Sequence, residues 1–116
     1  MKKSSFKSKS FISKEILEIV HTDLCGLIEV QKYKGDKHIM LFVDYYSRMM
    51  TIMFLKKKSD TFQMFKWYLA RFEKKIGKSL KCLRSNKGGE FTSNDFEMFC
   101  NAKGIKRWTS TPRTPP

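Results

Sequence analysis

The side chains able to ligate a zinc ion are Cys25, Cys82, Cys100, His21 and His38. They are scattered, with no Cys-x-x-Cys pair, so neither a structural zinc site nor a disulfide framework is expected. An odd number of thiols fits a reduced, intracellular protein, in which the cysteines would fill small spaces in the core. Gly88-Gly89 could bring backbone amides to a phosphate, but no Lys-Ser/Thr pair follows, and a plain turn is the simpler expectation. The cationic side chains carry a stronger signal. With 24 Lys+Arg against 11 Asp+Glu the formal charge is +13 over 116 residues. The cations gather in the first residues, in Lys56-Lys57-Lys58 and Lys74-Lys75, at Lys78, Lys81, Arg84 and Lys87, and in Lys106-Arg107. Such an excess implies a polyanionic partner, DNA or RNA, held through its phosphates, with affinity that falls steeply with salt and little reading of sequence. Lys56, Lys57, Lys58, Arg84, Lys87, Lys106 and Arg107 are the expected contacts, and no base-reading motif is visible.

The elements that must position these residues follow from periodicity. The length suits one domain, and 41% apolar with 14% aromatic residues can build a core. Residues 1–15 read as a flexible basic arm without the apolar centre of a secretory signal. Residues 16–111 read as the folded part and 112–116 as a Pro-rich tail. The longest apolar run, Ile39 to Val43, is far short of the roughly 18 residues that span a membrane, so no membrane partner is expected. A first strand from Ile16 is expected to end at a turn at Cys25-Gly26. A second and a third, His38 to Tyr46 and Met49 to Leu55, are linked through Ser47-Arg48 as antiparallel neighbours.

Ser59 is a fitting helix cap, and Phe62, Phe65, Leu69, Phe72 and Ile76 then recur at steps of three and four until Gly77. Leu80 to Arg84 reads as a strand, and Thr92 or Ser93 caps a helix with Phe96, Phe99 and Cys100 inward, closed by Gly104 before a last strand from Ile105. The order β-β-β-α-β-α-β predicts an α/β domain with a five-stranded mixed sheet. Trp67 and Tyr68 straddle the edge of the first helix's apolar stripe and are expected to be partly buried.

Four blocks then bring a family into view: His21-Thr22-Asp23-Leu24-Cys25-Gly26, Val43-Asp44-Tyr45-Tyr46-Ser47-Arg48, Leu83-Arg84-Ser85-Asn86-Lys87-Gly88-Gly89-Glu90-Phe91 and Gly104-Ile105-Lys106-Arg107. In order and spacing they resemble the integrase core in the Pol polyproteins of copia-type long-terminal-repeat retrotransposons. The resemblance covers roughly residues 16 to 116 and implies an RNase H-like fold, DNA integration as the family process, and an intracellular, nuclear place of work. It further implies two Asp and one Glu that hold two Mg²⁺ or Mn²⁺ ions for phosphodiester transfer, since hard cations take charged oxygen ligands.

Asp23 matches the first of these acids. The second falls at position 86, where the family pattern Arg-Ser-Asp-Asn-Gly-Gly-Glu is replaced by Arg84-Ser85-Asn86-Lys87-Gly88-Gly89-Glu90. The third, on a later helix, would fall beyond Pro116, and the zinc-binding module that precedes the family's core has no match. The chain therefore reads as a truncated core lacking its C-terminal helices, catalytically inactive, with Asp23 the one remaining metal ligand. Asp44 and Glu90 are the acids that could join Asp23 in a weak single-metal site and so retain a polynucleotidyl transferase activity. His21 is expected on the sheet face opposite Asp23. A third possibility is a non-catalytic module that self-associates through a sheet face left uncovered.

Overall fold

The computed structural model describes residues 13–30 and 35–110. Most of the basic arm and the Pro-rich tail lie outside the described residues. Strand β1 runs from Ile19 to Val30 and pairs antiparallel with β2, Gly35–Asp44, which pairs antiparallel with β3, Met50–Leu55. Helix α1, Thr61–Ile76, crosses to β4, Cys82–Asn86, and helix α2, Asn94–Lys103, crosses to β5, Lys106–Ser110. The sheet order is β3-β2-β1-β4-β5, with β1, β4 and β5 parallel. This is the expected β-β-β-α-β-α-β mixed sheet, and the parallel pairs are those whose connections are long enough to carry a helix. No helix among the described residues is long and apolar enough to cross a membrane.

Several boundaries differ from the sequence reading: β2 runs Gly35–Asp44 where His38 to Tyr46 was expected, β4 runs Cys82–Asn86 where Leu80 to Arg84 was expected, and two further differences have a local cause. Strand β1 begins at Ile19 and passes through Gly26 where a turn was expected; the register with β2 slips between Cys25 and Leu27, so Gly26 sits in a bulge within a long strand. Ser59 lies inside a short 3-10 turn, Lys58–Asp60, and α1 starts behind Asp60, which makes no side-chain cap bond. Thr61 Oγ1 instead donates to the Lys58 carbonyl at 2.7 Å. The second helix follows expectation, with Ser93 Oγ accepting from the Phe96 N–H at 3.2 Å. Gly77 and Gly104 close the two helices at φ +80° and +72°, in the left-handed region where glycine is unstrained.

Both helices cover one face of the sheet. Val20, Met40, Phe42 and Leu83 point from the strands into a core completed by Phe65, Tyr68, Leu69 and Phe72 of α1 and by Phe96 and Cys100 of α2. The Phe42 and Tyr68 rings stack at 3.9 Å, and Phe65 on Phe96 at 4.8 Å joins the two helices. Tyr68 is thus core, where partial burial was expected, and Trp67 beside it is 45% exposed. Burial, with the nearby charge of Asp44 second, pushes the Tyr68 phenol well above its ordinary range. On the opposite sheet face Met50, Ile52 and Phe54 are 57%, 53% and 48% exposed, and both described helices lie on the other side.

Asp44 ties the start of the domain to the β2–β3 turn. Its carboxylate is fully buried, accepting from the Leu17 N–H at 2.7 Å through Oδ1 and from the Ser47 N–H at 2.7 Å through Oδ2. Leu17 and Arg48, the two non-glycine residues with positive φ among the described residues, are both held by this residue, Arg48 through its N–H to the Asp44 carbonyl. Losing a buried acceptor of two backbone N–H groups is expensive, so Asp44→Ala is expected to cost about 3 kcal/mol in urea unfolding. A loss below about 1 kcal/mol would contradict this role.

Candidate functional site at the ends of β1 and β4

Strand alternation sets which side chains meet. Val20 and Thr22 turn to the helices and are buried, so His21, Asp23 and Cys25 share the other face. In β4, Leu83 and Ser85 are buried and Arg84 and Asn86 face outward beside them. His21 lies opposite Arg84 in the parallel register, which brings Asp23, two residues on, to Asn86. Asn86 Nδ2 donates to Asp23 Oδ1 at 3.4 Å, and the Leu24 N–H donates to the same oxygen at 2.9 Å. Asn86 Oδ1 accepts the Gly88 N–H at 2.7 Å, which fixes the amide with its NH₂ toward the acid.

Glu90 follows on the short 3-10 turn Gly89–Phe91. A Cβ at Gly88 would stand 2.9 Å from Glu90 Oε2 and 3.0 Å from Asn86 Oδ1, so these two oxygens flank Gly88, which needs its missing side chain here. Asp44 does not join them. It pairs with Val20 and shares that residue's buried face, while Asp23 pairs with Leu41 on the other face. The expected grouping of Asp23 with Asp44 is therefore corrected by the pleat of the sheet. His21 is corrected the other way: two residues from Asp23, it lies on the same face, because a strand alternates with period two.

The resemblance implies paired divalent cations at Asp23 and position 86. Among the described residues no group of three His, Cys, Asp or Glu side chains could hold a metal ion. Asn86 turns its NH₂ to Asp23, donating one hydrogen bond, and spends its oxygen on the Gly88 backbone, so the group nearest the acid offers a cation a donor and no charge. Lys87 follows and is exposed. These residues do not fit a two-metal centre.

The expected nucleic-acid contacts fall into two kinds. Lys56, Lys57 and Lys58 beyond β3, Lys87 after β4, and Lys106 on β5 are exposed. Arg107 is not part of this surface. It pairs with Leu83, its side chain is 10% exposed, and it donates to Ser85 Oγ and the Phe91 carbonyl, both at 3.0 Å, with Glu97 at 3.4 Å. Its guanidinium lies over the Phe96 ring, so it is a packing residue that ties β5 to α2. Lys78 and Lys81 are paired with Glu15, whose carboxyl their hydrogen bonds hold down to about 2. Of the cysteines, Cys100 is buried as expected, while Cys82 is half-buried and Cys25 exposed on the face opposite the described helices.

Arg84 stands between, half-buried in a row of aromatic side chains that the sequence reading did not single out. Its Nη1 donates to the Tyr45 hydroxyl at 2.8 Å, and its guanidinium lies 4.5 Å from the centre of the Trp108 ring, its register partner on β5. His21 meets Tyr45 edge-to-face at 6.2 Å. The signal was available: Trp108 sits two positions after Lys106 in a strand, and so shares its face.

Residues 14–115 match the Integrase core domain family. The chain is 39% identical over 111 residues to a retrovirus-related Pol polyprotein from transposon TNT 1-94 of Nicotiana tabacum, an alignment that takes in 96% of the chain. The chain belongs to the integrase core family. It is also 31% identical, over 97% of its length, to the Pol polyprotein from transposon RE2 of Arabidopsis thaliana. It spans about 8% of the length of each of these relatives. The integrase core of HTLV-2 in complex with magnesium, trimeric form, superposes with a TM-score of 0.63 at 22% identity, covering 80% of this chain and 59% of that one. A chain of the simian T-cell lymphotropic virus intasome with PP2A regulatory subunit B56 gamma gives 0.67 at 17%, covering 84% and 33%. The fold is accordingly the RNase H-like fold of integrase catalytic cores, as the resemblance implied.

The row of side chains makes His21 a reporter of this integrase core's site. Burial, and then the Arg84 charge, hold its pKa below the ordinary 6.5, while Asp23 pulls it upward. The unfolded chain takes this proton first, so its contribution to stability is present above about 6.5 and is lost as pH falls below that value. An NMR titration should place His21 below 6.5, and Arg84→Gln should raise it. A midpoint at or above 6.5 in the parent protein would contradict the geometry.

Proposed function

We propose that this integrase core binds nucleic acid through its phosphates and does not carry out strand transfer. The observation that supports this most is the Asn86 amide, which turns its NH₂ to the Asp23 carboxylate at 3.4 Å. The family chemistry is metal-dependent, and one solved neighbour is in complex with magnesium. Against the family pattern, Asn86 and Lys87 move the local charge two units toward positive, beside a place where two dications would already repel each other. Asp23 would then be the last member of the acidic set, with Mg²⁺ or Mn²⁺ held weakly if at all. Glu90, whose carboxylate flanks Gly88 together with the Asn86 oxygen, is the acid we would expect to assist it.

Binding is the part of the family's work for which the chain keeps its equipment. The net charge of +13 and the exposed Lys56, Lys57, Lys58, Lys87 and Lys106 favour phosphate neutralisation. DNA met in the nucleus is the partner we favour, with RNA the alternative. A second reading, self-association, draws on exposed Met50, Ile52 and Phe54 in edge strand β3, and a strict monomer in sedimentation at high concentration would remove it.

Two measurements test the main reading. Affinity for a labelled duplex should fall by about a hundredfold or more between 50 and 200 mM salt, and changing Lys56, Lys57 and Lys58 to Gln should lower the log–log slope by about 2 to 3. A response flat in salt would remove the phosphate claim. In a strand-transfer assay with Mg²⁺ or Mn²⁺ no product is expected; product formation that Asp23→Ala abolishes would overturn the inactivity.

A further inference from the structure

We propose that the row Trp108–Arg84–His21–Tyr45, on the sheet face opposite the two described helices, is a stacking platform for unpaired bases, so that the preferred ligand is single-stranded nucleic acid. The inference rests on the phosphate-binding reading above and names the form of nucleic acid that it selects. Three observations carry it.

The first is the juxtaposition. Trp108 of β5, Arg84 of β4 and His21 of β1 stand in one register row across three neighbouring strands, with Tyr45 of the β2–β3 turn against both Arg84 and His21. Adjacent strands lie about 4.8 Å apart, so the row offers ring and guanidinium planes over a span that successive unpaired bases can follow. The second is accessibility. All four residues are half-buried, and the two described helices lie on the other side of the sheet. The third is charge. Arg84, with exposed Lys106 on one side and exposed Lys87 beyond Asn86, outnumbers Asp23 and Glu90, in a chain already at +13.

Unpaired bases can use such planes and a duplex cannot, because paired bases are stacked on each other with only their edges in the grooves. An indole and a guanidinium already stacked on each other form a rigid surface, so little side-chain freedom is lost when a base lies against it. Stacking also tolerates any base, in keeping with the absence of a base-reading motif.

The test uses the full chain with Trp67→Phe, which leaves Trp108 as its one tryptophan and changes an exposed side chain of α1. Oligothymidylate of about a dozen nucleotides is titrated beside a duplex of the same length, a strand long enough to cross the row. Trp108 emission should be quenched by the single strand and left unchanged by the duplex. Trp108→Ala should weaken oligothymidylate binding by about 5- to 100-fold while leaving duplex affinity as it was. The retained duplex binding reports that the variant is folded, and Trp108→Phe should recover most of the loss. If Trp108 is not quenched, or Trp108→Ala binds the single strand as the parent does while salt-dependent duplex binding persists, the platform is refuted and the phosphate reading stands. If the parent binds neither ligand, both fall.

Discussion

Among the described residues the helices cover one face of the sheet, which divides the strand residues between a packed core face and a second face, and that division decides the chemistry of this protein. Val20, Phe42, Leu83 and Arg107 take the covered face; His21, Asp23, Arg84, Asn86 and Trp108 take the other. One step along a strand reverses a residue's role. Arg107 and Lys106 are adjacent in sequence and both cationic, yet one ties β5 to α2 while the other is exposed. Asp23 and Asp44 differ in the same way: Asp44 is consumed by the Leu17 and Ser47 amides inside the fold, and Asp23 faces Asn86 outside it. Carboxylates on opposite faces cannot share an ion, whatever their separation along the chain.

The contact between Asp23 and Asn86 shows what a single change of atom does in such a place. A carboxylate at position 86 would set two like charges against each other, a cost that a divalent cation offsets. An amide removes the conflict at its source, because it donates to Asp23 and accepts from Gly88 at once. The strand ends are then held together by hydrogen bonds inside the protein. Placing Lys87 next in the chain is harmless in this arrangement and would be unfavourable beside two dications.

Most of the architecture was legible in the sequence. Alternating β-formers marked the first three strands, a stripe of aromatics at steps of three and four marked α1, and Ser93 with Gly104 bracketed α2. The Gly26 bulge was not legible, since a glycine that ends a strand and one that lets it slip register have the same local signature. Asp60 in place of Ser59 reflects a 3-10 turn whose closing bonds are to backbone and Thr61, which no side-chain preference announces. Within the site, Asp23 and Asn86 were found through the family motif. The inward turn of Arg107 depends on Ser85, Phe91 and Glu97, which come from three separate stretches of chain. His21 was misplaced by a parity error that period two corrects without a structure.

Helices on one face, polar and aromatic side chains on the other, and cations at the margins give the sheet two separable tasks. Stability comes from the covered side, where Phe42, Tyr68, Phe65 and Phe96 interlock and Arg107 closes the far edge. The opposite side carries little of that packing and is where the proposed recognition would fall. The change at position 86 lies on this side, at a strand end, and leaves the core untouched. In a fold divided in this way the Asp23–Asn86 contact and the row of Trp108, Arg84 and His21 occupy different positions along the same strands, so a change in one leaves the other in place.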